Sequence, residues 1–106
     1  MAEGVQAEKA TRYNQGKAKW GLVHYKSLIP LVKVLEFGAN KYDADNWKKG
    51  LDKKEILESM MRHLIALMDG ELNDPESQEL HIGHIMCNAM FWSYFHQMEI
   101  NKLNEK

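Results

Sequence analysis

His81-Ile82-Gly83-His84-Ile85-Met86-Cys87-Asn88-Ala89-Met90-Phe91-Trp92-Ser93-Tyr94-Phe95 reads as one long helix, and the rest of the chain arranges itself around it. Ile82, Ile85, Met86, Ala89, Met90 and Ser93 recur at helical spacing along one face. His81, His84, Asn88, Phe91 and Phe95 lie along an adjacent face, so the helix is apolar around much of its circumference. Imidazoles and an amide are costly to bury unless they are paired or bound. Packing alone does not ask for His81, His84 and Asn88 in a row, so the row marks a candidate site. This helix is expected to begin after Asp74-Pro75 or at Ser77, and to end near residue 102.

Upstream, Asp52 is the expected N-cap of a second helix, with Glu55 three residues on as in a capping box. Ile56, Met60, His63, Leu64 and Leu67 form its stripe, and Gly70 is placed to end it in the left-handed conformation. The short link Gly70–Ser77 makes these two helices antiparallel, which turns His63 toward His81 and His84. A first helix is expected from Ser27, as N-cap, to Lys41, with Pro30 tolerated in its first turn. Its stripe is Leu28, Leu31, Val32, Leu35 and Ala39, and Gly38 is the expected point of close approach by a neighbour. Residues 42–51 form a polar loop around Trp47, and residues 1–26 a turn-rich arm that Tyr13, Trp20, Leu22 and Val23 would tie down. No alternating strand of useful length occurs.

The expected fold is therefore all-α. Three main helices make an antiparallel bundle, in one domain over residues 1–106, with residues 1–11 and 102–106 frayed. Three helices cover a core poorly, so the bundle is expected to be completed by homo-oligomerisation into a dimer, a tetramer or a larger assembly.

Composition narrows the function. A net charge of −1 argues against a nucleic-acid polymer as partner, which usually needs a basic surplus. No apolar run approaches membrane-spanning length, and the N-terminus has no signal-peptide core, so a cytoplasmic location is expected. Cys87 is the single cysteine, which rules out an intrachain disulfide. Motifs for a zinc protease, a phosphate-cradling loop, a dinucleotide fold and a His-Asp phosphohydrolase are all missing.

The chemistry-bearing residues cluster at the junction of helices two and three. His81 and His84 are i, i+3 and His84 and Asn88 i, i+4, side by side on one face. Glu71 and Asp74 supply oxygens suited to Mg²⁺ or Mn²⁺, and histidine in the set leans toward Mn²⁺. Arg62 either pairs with Glu58 on the helix surface or clamps a phosphate. Lys17 and Lys41 can neutralise phosphates, and Tyr13, Tyr42 and Trp47 can stack on a base, with Asn46 reading its edge.

Several segments together resemble a known family. They are Arg12-Tyr13-Asn14-Gln15-Gly16-Lys17, Leu35-Glu36-Phe37-Gly38-Ala39-Asn40-Lys41-Tyr42, Asn46-Trp47, Arg62-His63, Gly70-Glu71-Leu72-Asn73-Asp74-Pro75-Glu76-Ser77 and His81-Ile82-Gly83-His84-Ile85-Met86-Cys87-Asn88-Ala89. This order resembles the phage-associated dATP/dGTP diphosphohydrolase domain, itself similar to the all-α, MazG-like pyrophosphohydrolases. The resemblance implies an oligomeric helical bundle, Mg²⁺ or Mn²⁺, and cleavage of a purine dNTP to dNMP and pyrophosphate, in the host cytoplasm. It implies Glu71, Asp74 and His63 as catalytic groups, and Glu71, Asp74, His81 and His84 as metal ligands. Arg12, Tyr13, Lys17, Lys41, Asn46, Trp47, Arg62 and Asn88 would hold the substrate. MazG-like enzymes draw their ligands from ExxE and ExxD helices. Here Arg62-His63 and His84-x-x-x-Asn88 stand in those places. Loss of those acids frames a second expectation: a metal-free, anti-defence protein that sequesters a nucleotide immune signal.

Overall fold

The computed structural model describes residues 9–105. Its architecture is all-α, as the periodicity predicts: α1 (Ile29–Lys41), α2 (Lys53–Met68) and α3 (His81–Asn104). Short 3₁₀ turns at Trp20–Leu22, Tyr25–Leu28 and Asn46–Lys49 lie between and before them. Residues 1–8 and Lys106, part of the segments expected to fray, lie outside the described residues, while α3 runs two residues past its expected end.

Helix α3 is the spine. Both α2 and α1 pack on it, and no comparable packing joins α1 to α2. Helices α2 and α3 are antiparallel. Lys53 reaches Glu99 at one end (2.8 Å), and His63 reaches His81 at the other (2.8 Å). Cys87 and Ile56 are buried at this contact, and α1 brings in Val34. Val34 was absent from the expected stripe of α1, whose Val32 is exposed. The helix is rotated so that its Pro30–Val34 side meets α3. The cause is Gly83, not Gly38. A Cβ on Gly83 would lie 2.4 Å from the Pro30 carbonyl oxygen, whereas one on Gly38 would meet nothing within 4 Å. The close approach therefore belongs to α3.

Helix starts follow local hydrogen bonding. Asp52 caps α2 as expected, accepting from the amides of Lys54 (2.8 Å) and Glu55 (3.4 Å). Ser27 does not cap α1. Its hydroxyl pairs with His24 Nδ1 and its amide donates to the His24 carbonyl at 3.1 Å, so a 3₁₀ turn precedes α1 and Leu28 is its N-cap. Trp47 is held by stacking on Phe91 (ring centroids 4.6 Å apart) and by the edge of Tyr94 (4.9 Å), which fastens the 42–51 loop to the middle of α3. The arm does not tie down on its own chain: Tyr13, Trp20, Leu22 and Val23 are all exposed. None of the described helices is long and apolar enough to cross a membrane.

Candidate functional site

The link between α2 and α3 builds the site. Gly70 takes the left-handed conformation (φ +93°), a position glycine fills without steric cost. The amide of Gly70 then donates to the Leu67 carbonyl and that of Glu71 to the Ala66 carbonyl, both at 3.0 Å, a Schellman closure of α2. This closure returns Glu71 to the end of α3, where Oε1 lies 2.7 Å from His81 Nε2.

Asp74 and Ser77 organise the next turn instead of capping α3, whose N-cap is Leu80. Asp74 Oδ2 accepts from the Ser77 amide (2.9 Å), and the Asp74 carbonyl accepts from the Gln78 amide (2.7 Å). The Asp74 amide donates to the Glu79 carbonyl (2.8 Å), closing a small hairpin bridged at Asn73 and Leu80. Both candidate caps are spent on this loop, so α3 starts later, at His81.

Three histidines meet above the hairpin. The carboxylate of Glu71 can only accept, so His81 donates through Nε2 and turns Nδ1 toward His63. The two Nδ1 atoms are 2.8 Å apart. His84 stacks flat on His63 at 4.4 Å, with 2° between the rings, and its Nε2 is held by the Ser77 hydroxyl at 2.7 Å. Asn88 donates to the His84 carbonyl (3.0 Å) and to Ser59 Oγ (3.2 Å), tying α3 to α2. Ser59 and Ser77 were not among the expected site residues. A lone serine on a helix or in a loop carries no sequence signal for such a role.

Burial, reinforced by the neighbouring imidazoles, holds His63 and His84 below the usual histidine range, against the opposing pull of Asp74. Burial pushes the Asp74 carboxyl up, but hydrogen bonds from Ser77 and the charges of His84 and His63 outweigh it and bring it lower. At neutral pH His63 and His84 are thus neutral beside an ionised Asp74. Cys87, beneath it, has its thiol pushed up to about 12 by burial and is inert.

The cluster opens into a cavity of about 1150 Å³, large enough for a nucleotide. α3 forms its floor, while α2 forms one wall and α1 with the 42–48 loop the other. Ten expected residues line it: Lys41, Asn46, Trp47, Arg62, His63, Glu71, Asp74, His81, His84 and Asn88. Arg12, Tyr13 and Lys17 do not reach the cavity of their own chain. Lys41 is not a free cation: its Nζ lies 2.9 Å from Glu76, which raises its pKa. The expected Glu58–Arg62 pair is not formed among the described residues, and Arg62 lines the cavity instead. Glu58 lies outside that lining.

Donor atoms of His63, Asp74 and His81 lie within 4.8 Å of one another. Two imidazoles and a carboxylate suit Mn²⁺ or a similar transition ion, so this trio fits a divalent metal. Within the expected ligand set, Asp74 and His81 converge. Glu71 stands behind His81 as its orienting carboxylate, and His84 is occupied by Ser77.

The sequence profile described as dATP/dGTP diphosphohydrolase, N-terminal, matches residues 7–104. The chain belongs to this family. Among curated proteins, the chain is similar to the dATP/dGTP diphosphohydrolase of Salmonella phage PMBT28, at 30% identity over 80 residues. The alignment covers 76% of this chain and 27% of the phage protein, so the chain spans about a quarter of that relative's length. No solved structure matches it.

Proposed function

We propose that the chain binds a purine deoxynucleoside triphosphate in this cavity and hydrolyses it to the monophosphate and pyrophosphate. The observation that carries the reading is the convergence of His63, Asp74 and His81 at the wall of a nucleotide-sized cavity also lined by Arg62. Family membership and the activity named for the phage relative support the same reading. His63, Asp74 and His81 would hold Mg²⁺ or Mn²⁺, which when bound neutralises polyphosphate charge and acidifies water.

The chain's own groups divide the remaining work. Arg62 offers a planar fork to phosphate oxygens. Glu71 fixes the ring of His81 through Nε2, and Ser77 fixes that of His84. A water oxygen adds to phosphorus, the α–β bridging oxygen leaves with pyrophosphate, and one proton is released. Neutral imidazole and ionised Asp74 are the forms that can accept that proton. Trp47 and Asn46, at the far side of the cavity, would hold the nucleoside.

The test is to incubate the chain with a nucleotide panel and Mn²⁺ or Mg²⁺ and resolve products by chromatography. The expected result is dNMP and pyrophosphate from dATP or dGTP, lost in Asp74→Ala. Intact nucleotide that stays bound and is released only on heat denaturation would overturn hydrolysis and establish a sequestering protein.

A further inference from the structure

The cavity and the N-terminal arm have opposite charge. The cavity is lined by the carboxylates Glu36, Asp43, Asp45, Glu71, Asp74 and Glu76 against only Lys41, Lys48 and Arg62. Lys41 is paired with Glu76 at 2.9 Å and Lys48 with Asp45 at 3.3 Å. A polyanion entering this site meets one arginine and a surplus of acid. The arm is the reverse. Its described part, with the start of the next turn (residues 9–28), carries Lys9, Arg12, Lys17, Lys19 and Lys26 and no acidic residue, the arm's two acids being Glu3 and Glu8 upstream.

The arm is also apolar without a place to put that surface. Trp20 is 80% and Leu22 84% exposed, and the 3₁₀ turn that holds them buries nothing. A segment with two large bare side chains and five cations does not pay its ordering entropy by contact with water. The remainder of the chain is equally unfinished. Only Val34, Ile56 and Cys87 are buried hydrophobics among the described residues, and Leu57, Met61, Leu64, Ile65 and Met68 line the outer side of α2 exposed. The Cα radius of gyration is 19.3 Å, against about 13 Å for a compact chain of this size.

We infer that the arm belongs to the site of a second copy of this chain: Arg12, Lys17 and Lys19 of one copy reach the acidic cavity of the other, anchored by Trp20 and Leu22. A two-fold exchange lets one chain supply both complementary surfaces and satisfies both arms at once. The bare face of α2 gives the pair a second contact. This inference rests on the nucleotide reading only for the role of the arm's cations, which is to hold the polyphosphate; the placement of the arm stands on charge and exposure.

The test separates the two. A full-length Lys17→Cys/Asp43→Cys variant is treated with a bismaleimide thiol cross-linker; Cys87, buried and with its thiol at about 12, stays silent. The expected product has twice the chain mass on a denaturing gel, and it disappears when Arg12→Glu and Lys19→Glu reverse the arm's charge. A product confined to single-chain mass, or wild-type protein that sediments as a monomer, overturns the inference. For function, Lys17→Ala and His81→Ala chains are each inactive, and mixing them restores about a quarter of the wild-type rate, because random pairing of two chains leaves one intact site in half the dimers. Cross-linking with no hydrolysis in wild type would sink the nucleotide reading and leave the arm's placement standing; hydrolysis in wild type with no restoration in the mixture would do the opposite.

Discussion

The two halves of α3 are built on different principles. From His81 to Asn88 the helix meets its neighbours through hydrogen bonds: His81 to Glu71 and His63, His84 to Ser77, Asn88 to Ser59. From Phe91 to Glu99 it meets them through rings and an exposed ion pair. Trp47 stacks on Phe91, while Lys53 lies 4.3 Å from the Trp92 ring centroid and 2.8 Å from Glu99. Hydrogen-bonded partners fix ring orientations at modest net stability, and buried rings supply stability without directing a proton. The first half is organised for chemistry and the second for holding the chain together.

The sharpest way to break this contrast is His81→Ala. Hydrolysis should fall by about 100-fold or more, while urea unfolding shifts by only about 1–2 kcal/mol. A variant that unfolds readily yet still turns over would reverse the assignment. Trp47→Ala should do its main damage in unfolding, costing about 2–3 kcal/mol, since the ring is half-buried. Gly83→Ala comes next, at about 1–3 kcal/mol from overpacking, because its new Cβ would force α1 off the helix through the Pro30 carbonyl.

Acid should reveal the first half alone. His63 and His84 are held below their unfolded value of about 6.5, so the folded chain binds fewer protons than the unfolded one as pH falls. Stability is fully present above that value and drains away below it. A melting temperature that falls from pH 7 to pH 5 with EDTA present, and falls less in His84→Gln, would confirm the sign. The smallest effect is expected at the other end. Glu99→Gln breaks an exposed pair and should leave the unfolding midpoint unmoved within error.

Much of this was legible in the residues. The 3.6-residue period of 81–95, the Asp52 cap and the Gly70 stop placed α2 and α3, and the antiparallel turn brought His63 to His81 and His84. What sequence could not show was competition for the same group. Asp74 and Ser77 are good helix caps, but the hairpin uses both first, so α3 begins four residues after Ser77. Gly38 and Gly83 look alike in sequence, and only the path of α1 decides which one a backbone approaches. Ser27, too, was claimed by a histidine three residues away. Helical period and capping are local properties, whereas the exposed arm and the rotation of α1 depend on distant partners.

The His63 and His81 rings face each other through Nδ1 at 2.8 Å, and Nε2 of His81 is already committed to Glu71. A neutral His63 presents a bare Nδ1 only by carrying its proton on Nε2. A divalent ion proposed for this position would therefore move that proton across the His63 ring and release none at neutral pH. Calorimetry of a Mn²⁺ titration at neutral pH in two buffers of different ionisation enthalpy should give the same heat, and the two heats should part only in acid, where His63 has gained its second proton.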